Sequence, residues 1–97
     1  MLTFAELRAW YREVWFVDSE FYQPRGERPV TICVVGRELF SNRVVRVWVW
    51  GNRNVVEPFG VGPDVLVVAY YASAEVGSYL DLGWSLPKRI LDLSADA

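Results

Sequence analysis

Apolar and polar positions divide this chain into short blocks of contrasting period. Thr3 stands three residues before Glu6, the spacing of a helix-capping box, and Phe4, Leu7, Ala9, Trp10 and Tyr11 form a rough apolar stripe that predicts a helix to about Arg12. Residues 14–17 read as a short strand that ends in Asp18 and Glu20. Residues 21–29, FYQPRGERP, are rich in turn formers and charge and read as a loop. Residues 30–35 are β-branched and almost wholly apolar, which predicts a buried strand with Gly36 at its end. Across residues 43–50, Val45, Val47 and Val49 alternate with Val44, Arg46, Trp48 and Trp50, the pattern of a strand with one face in a core and one partly wet.

A long irregular connection over residues 51–64 then leads to VLVVA at 65–69, apolar enough for the middle of a sheet. Residues 73–82 predict a helix with Ser73 as cap and Gly83 as stop signal. Residues 90–93 form a last short strand or the entry to another helix. Three sequential strands imply an antiparallel meander, and the later strand-helix unit adds a parallel, covered strand. The expected fold class is therefore α/β, a mixed sheet with flanking helices, in one domain over residues 1–97. The chain stops at Ala97 just after an apolar-acidic segment and with no closing element, so it reads as cut short.

Composition narrows the chemistry. With 10 Lys and Arg against 12 Asp and Glu, bulk charge gives no argument for nucleic acid, and such binding would rest on local patches. The single cysteine, Cys33, lies in an apolar run, rules out a disulfide within the chain, and is expected to be a buried thiol. There is no histidine, which excludes Ser/His or Cys/His catalysis and a histidine-bearing zinc site within this sequence. The charged N-terminus lacks the apolar region of a signal peptide, and no run approaches the length of a membrane span. A soluble, cytoplasmic protein is expected.

The most informative stretch is WFVDSEF at 15–21. A strand projects residues i and i+2 to one face, so Asp18 and Glu20 stand side by side. Two carboxylates held together repel unless a cation or a shared proton neutralises them. In a chain with no histidine and one cysteine the cation would be bound by oxygen, hence a hard ion such as Mg²⁺ or Mn²⁺.

A first strand ending in Asp-x-Glu, a three-strand meander and then an apolar strand entering a helix that carries a carboxylate resemble the ribonuclease H-like 3'–5' exonucleases. The closest resemblance is to the proofreading domain of DNA polymerase I-like (family A) polymerases. Val17-Asp18-Ser19-Glu20 looks like the first exonuclease motif. Residues 67–75, VVAYYASAE, look like the second, with Glu75 where the family has Asp, Ala74 where an aromatic residue is usual and Tyr71 roughly where Asn is expected. Residues 82–84 and 90–92 resemble the helix end and the hydrophobic-Asp segment that follow. The third motif would fall beyond Ala97. The resemblance implies a ribonuclease H-like sheet, bacterial or viral origin, and two-metal phosphodiester hydrolysis at the 3' end of single-stranded DNA. It implies Asp18 as the ligand between two Mg²⁺ or Mn²⁺ ions, Glu20 positioning the attacking water, and Glu75 adding a ligand. A polymerase domain in a longer chain is the implied partner. The alternative is a non-catalytic ribonuclease H-like module that contacts DNA or a polymerase domain.

Around these carboxylates, Phe21 and Tyr22 suit either stacking on a terminal base or closing the sheet. Tyr70 and Tyr71 end the central strand beside the expected site, where a phenol would bind substrate or fill space. Arg25 and Arg28 are candidates for phosphate contacts or simply solvated loop residues. Trp48 and Trp50 are expected to pack, and Asp92 to cap or turn the chain.

Overall fold

Strand β1, Glu13–Tyr22, lies at the centre of a five-stranded sheet of order β3-β2-β1-β4-β5. The other strands are β2 at Val30–Glu38, β3 at Val44–Trp48, β4 at Val65–Ala69 and β5 at Ile90–Asp92. This computed structural model describes residues 3–96, so the expectation attached to the chain end at Ala97 lies outside the described residues. β1–β2 and β2–β3 pair antiparallel, which is the meander, whereas β1–β4 and β4–β5 pair parallel. The protein is thus an α/β fold with a mixed sheet. Two helices accompany it, α1 at Phe4–Trp10 and α2 at Ala72–Leu82, and a 3-10 turn over Leu93–Asp96 follows β5.

Local sequence explains the helix ends with one exception. The Thr3 side chain accepts a hydrogen bond from the Glu6 amide and starts α1. Gly83 ends α2 in the left-handed conformation at φ 70°, with its amide bonded to the Leu80 carbonyl and the Trp84 amide to that of Tyr79. Ser73, expected as the α2 cap, instead lies inside the helix. Tyr71 occupies the cap position and makes no side-chain cap bond.

Strands β1 and β2 run further than their apolar runs, whereas β3 stops at Trp48, short of the expected Trp50. β1 continues through Asp18, Ser19, Glu20, Phe21 and Tyr22 because each finds a partner on β2, so the segment expected to begin a loop is ladder. β2 likewise passes Gly36 to Glu38. Pairing goes from Glu20↔Cys33 to Phe21↔Thr31, leaving Ile32 as an extra residue in a β-bulge.

Alternation along β1 sorts the side chains onto two faces. Trp15, Val17 and Ser19 turn toward α2, where Trp15 and Val17 join Val34, Phe59, Val65, Val67, Tyr79 and Trp84 in the main core. Phe59 and the partly buried Val55 come from the irregular connection after β3, which therefore supplies core rather than merely spanning a gap. Val14, Leu66 and Val68 face the other way and are covered by Leu7 and Tyr11, with Leu39, Phe40 and Leu91 around them. Among the described residues no helix lies over the rest of that second face, on β2 and β3. All of β4 is buried, as its unbroken apolar sequence predicted.

Glu38 fixes one corner of the sheet. Its carboxylate is buried and accepts bonds from the amides of Val14 at 2.9 Å, Phe40 at 3.1 Å and Ser41 at 2.8 Å. Burial raises its pKa, but the three amide donors outweigh that and leave it below the usual value.

Gly36 lies under the Phe59 ring, and a methyl group there would overlap the ring and come within 3.2 Å of Trp15 Cε3. Gly36→Ala is expected to lower stability by about 1–3 kcal/mol, the usual cost of overpacking a filled core. Urea unfolding measures this, and an unchanged midpoint would show that Phe59 moves freely.

Candidate functional site: an acidic pair on an open sheet face

Asp18 and Glu20 sit on the second face of β1, both exposed, opposite Val35 and Cys33 of β2. Two residues of strand rise separate their Cα atoms by about 6.6 Å. Neither carboxylate makes a hydrogen bond or ion pair with any other described residue. They form an unneutralised acidic pair on the central strand. Both offer oxygen donors alone, the ligand type that hard divalent cations take.

Glu75 does not join them. Its carboxylate is held on the helix-covered side of β1, where Oε1 accepts from the Ser19 amide and the Ser19 hydroxyl, both at 3.1 Å. Ser78 Oγ donates in turn to Ser19 Oγ at 2.9 Å. The cause is strand alternation. Ser19 lies between Asp18 and Glu20 in sequence, so it points to the opposite face, and α2 packs on that face. Glu75 is 4% exposed, and burial raises its pKa above 4.5, opposed by the Ser19 bonds and reinforced by the charge of Asp18. Among the described residues there is no group of three or more Asp, Glu, Cys or His that could hold a metal ion. Of the three carboxylates that the resemblance implies as a group, Asp18 and Glu20 share a face and Glu75 lies on the other.

The aromatic candidates also separate. Phe21 has the parity of Ser19, whereas Tyr22 lies on the open side, with its ring 6.5 Å from that of Trp50 in an edge-to-face arrangement. Tyr71 is exposed at the start of α2, next to exposed Tyr70 at the end of β4. Both leave the sheet at the end toward which β1 carries Asp18 and Glu20, because β1 and β4 are parallel. Arg25 and Arg28 are exposed in the connection between β1 and β2. Asp92 fulfils its expected turn role, its Oδ1 accepting from the amide and hydroxyl of Ser94 at 3.0 and 2.6 Å.

Two further expectations are overturned. Trp48 and Trp50, read as packing residues, are 64% and 48% exposed. Cys33, read as core, is only half-buried. Both follow from the missing cover over β2 and β3. Nothing in the sequence alone marks the Ser19–Glu75–Ser78 network, although the strand period carried through Asp18-Ser19-Glu20 assigns Ser19 to the inner face.

Comparison of the chain with protein-family models, curated proteins and solved structures gave no match. Among the described residues no helix is long and apolar enough to cross a membrane.

The raised pKa of Glu75 has a definite sign. A carboxyl whose folded value lies above 4.5 contributes its full stability below 4.5, and that contribution is lost as pH rises through the folded value. Glu75→Gln keeps an acceptor for Ser19 without the charge. Its melting temperature is expected to fall less than that of the wild type as pH rises above 4.5, and parallel melting curves from pH 4 to 8 would contradict the buried charge.

Proposed function

We propose that this chain is part of a ribonuclease H-like 3'–5' exonuclease domain of the DNA polymerase I type, acting at the 3' end of single-stranded DNA. The observation that carries the reading is the acidic pair, Asp18 and Glu20, exposed together on the central strand with no ion-pair partner among the described residues. Unneutralised carboxylates at this spacing favour binding of a divalent cation. The sheet supports the same reading, since an antiparallel meander flanked by a parallel strand-helix-strand unit agrees with what the ribonuclease H-like resemblance implies.

In this reading Asp18 and Glu20 would hold Mg²⁺ or Mn²⁺ through their oxygens. A cation held there would lower the pKa of water and stabilise negative charge on a phosphodiester oxygen. Glu20 accepts a proton-side hydrogen bond from the attacking water and orients it. Tyr70 and Tyr71, at the adjoining end of β4, bound the space in which the terminal nucleotide lies.

A second reading, a non-catalytic module of the same fold that contacts DNA or a polymerase domain, is favoured by the position of Glu75. A carboxylate engaged by two Ser19 donors is not available as a third ligand without breaking both bonds. Misplacement of about 1 Å already costs on the order of 10²-fold in rate.

The test pairs calorimetric titration with Mn²⁺ and release of nucleotides from a 3'-labelled single strand. The wild-type chain is expected to bind Mn²⁺ weakly, and Asp18→Ala to abolish that binding. Slow nucleotide release that disappears in both Asp18→Ala and Glu20→Gln supports the exonuclease. Binding of Mn²⁺ without release supports the non-catalytic module. Equal Mn²⁺ affinity in wild type and Asp18→Ala removes Asp18 as a ligand and the reading with it.

A further inference from the structure

The uncovered face of β2 and β3 carries chemistry beyond the acidic pair. Tyr22, Ile32, Trp48 and Trp50 line a shallow concavity of about 470 Å³. Three of its four walls are aromatic, and the bulge builds it. The Ile32 carbonyl accepts from the amides of both Val49 and Trp50, at 2.9 and 3.1 Å, which anchors the chain after β3 against the extra residue of β2. Tyr22 and Trp50 meet edge-to-face with an interplanar angle of 78°, so the two rings are not stacked on each other.

Strand register places charge beside this concavity in ordered rows. Glu20, Cys33 and Trp48 share one row, Asp18, Val35 and Arg46 the next, and Phe16, Arg37 and Val44 the third. Rows are separated by about 6.6 Å, two residues of strand rise, which is the length scale of one extended nucleotide. Arg46 therefore stands one row from Trp48 on the same strand, and Arg37 one row further on β2. Both guanidinium groups are exposed, and neither makes a hydrogen bond or ion pair with another described residue. The half-buried pair Cys33 and Val35 separates this basic side from the acidic side on β1.

We infer that this face binds a single-stranded DNA segment, with one unstacked base in the Tyr22–Trp48–Trp50 concavity and the adjoining phosphates on Arg46 and then Arg37. Aromatic faces accept any base, and guanidinium groups match phosphate oxygens in bidentate fashion. An apolar segment of a protein partner would use the rings but leave two unpaired arginines against it. A cationic ligand would be repelled by Arg46. The inference rests on the exonuclease reading for the identity of the ligand, and it adds a track along β3 and β2 that runs beside the acidic pair on β1.

Binding is tested apart from cleavage, with a fluorescently labelled oligo-dT of about a dozen nucleotides, in EDTA and at low salt, by anisotropy. Wild type is expected to bind, and Trp48→Ala to weaken binding about tenfold or more, as loss of a stacked base does. Trp48→Phe, which keeps a stacking face, is expected to restore most of it. Arg46→Gln is expected to weaken binding and to reduce the salt slope by about one. Circular dichroism verifies folding of each variant. Trp48-dependent binding in a protein that releases no nucleotides would leave this surface standing while the exonuclease reading fails. No binding by wild type, equal binding by the Trp48→Ala and Arg46→Gln variants, or a dimer in sedimentation that Trp48→Ala disperses without any oligonucleotide binding, would each overturn it.

Discussion

Everything in this fold depends on the pleat of β1 being held in a single phase. The strand is bonded on both edges, antiparallel to β2 and parallel to β4, so its alternation cannot slip without breaking two ladders. A shift by one residue would bring Asp18 and Glu20 beneath α2 and expel Trp15 and Val17 from the core. The cost of burying two unpaired carboxylates alone exceeds what a small domain has in reserve. Partition of chemistry between the faces is thus a direct consequence of partition of hydrophobicity.

Polar latches secure that phase at places where apolar packing is indifferent to it. Glu38 gathers the amides at the turn after β2 and the start of β1. Glu75 and Ser78 fasten α2 to Ser19. Asp81 accepts from the Thr31 amide at 2.8 Å and from the Arg53 guanidinium at 2.7 Å, tying the far end of α2 to β2 and to the connection after β3. Burial raises the pKa of Asp81, and the bonds from Arg53 and Thr31 bring it below its usual value. Among the described residues, the Tyr79 hydroxyl is the one buried side-chain polar atom left without a partner. Its proton is held tightly, since burial and the charges of Glu57 and Glu75 all oppose ionisation.

Much of this was legible in the sequence, for reasons that differ from element to element. VLVVA announced a strand buried on both faces because nothing in it tolerates water. Thr3 and Gly83 marked helix ends because capping is local chemistry. The alternation of residues 43–50 gave the two faces of β3. What escaped were features set by distant chain. The length of β1 depends on β2 being long enough to pair with it. Exposure of Trp48 and Trp50 depends on whether anything covers them, and residue type alone argued for burial. Proximity of Asp18 and Glu20 followed from strand period, but placing Glu75 required knowing the side of the sheet on which α2 lies.

The bulge at Ile32 has a bearing on how this chain tolerates changes in length. Most single-residue insertions or deletions inside a strand invert every position downstream. Here one residue has already been absorbed, and Thr31 and Val34 both point inward although their numbers differ in parity. Removal of Ile32 would join the two halves of β2 into a regular ladder and keep both inner residues in place. The sheet would survive, while the anchor for Val49 and Trp50 would vanish. Length variation at this position therefore remodels the outer surface of the sheet and spares its interior.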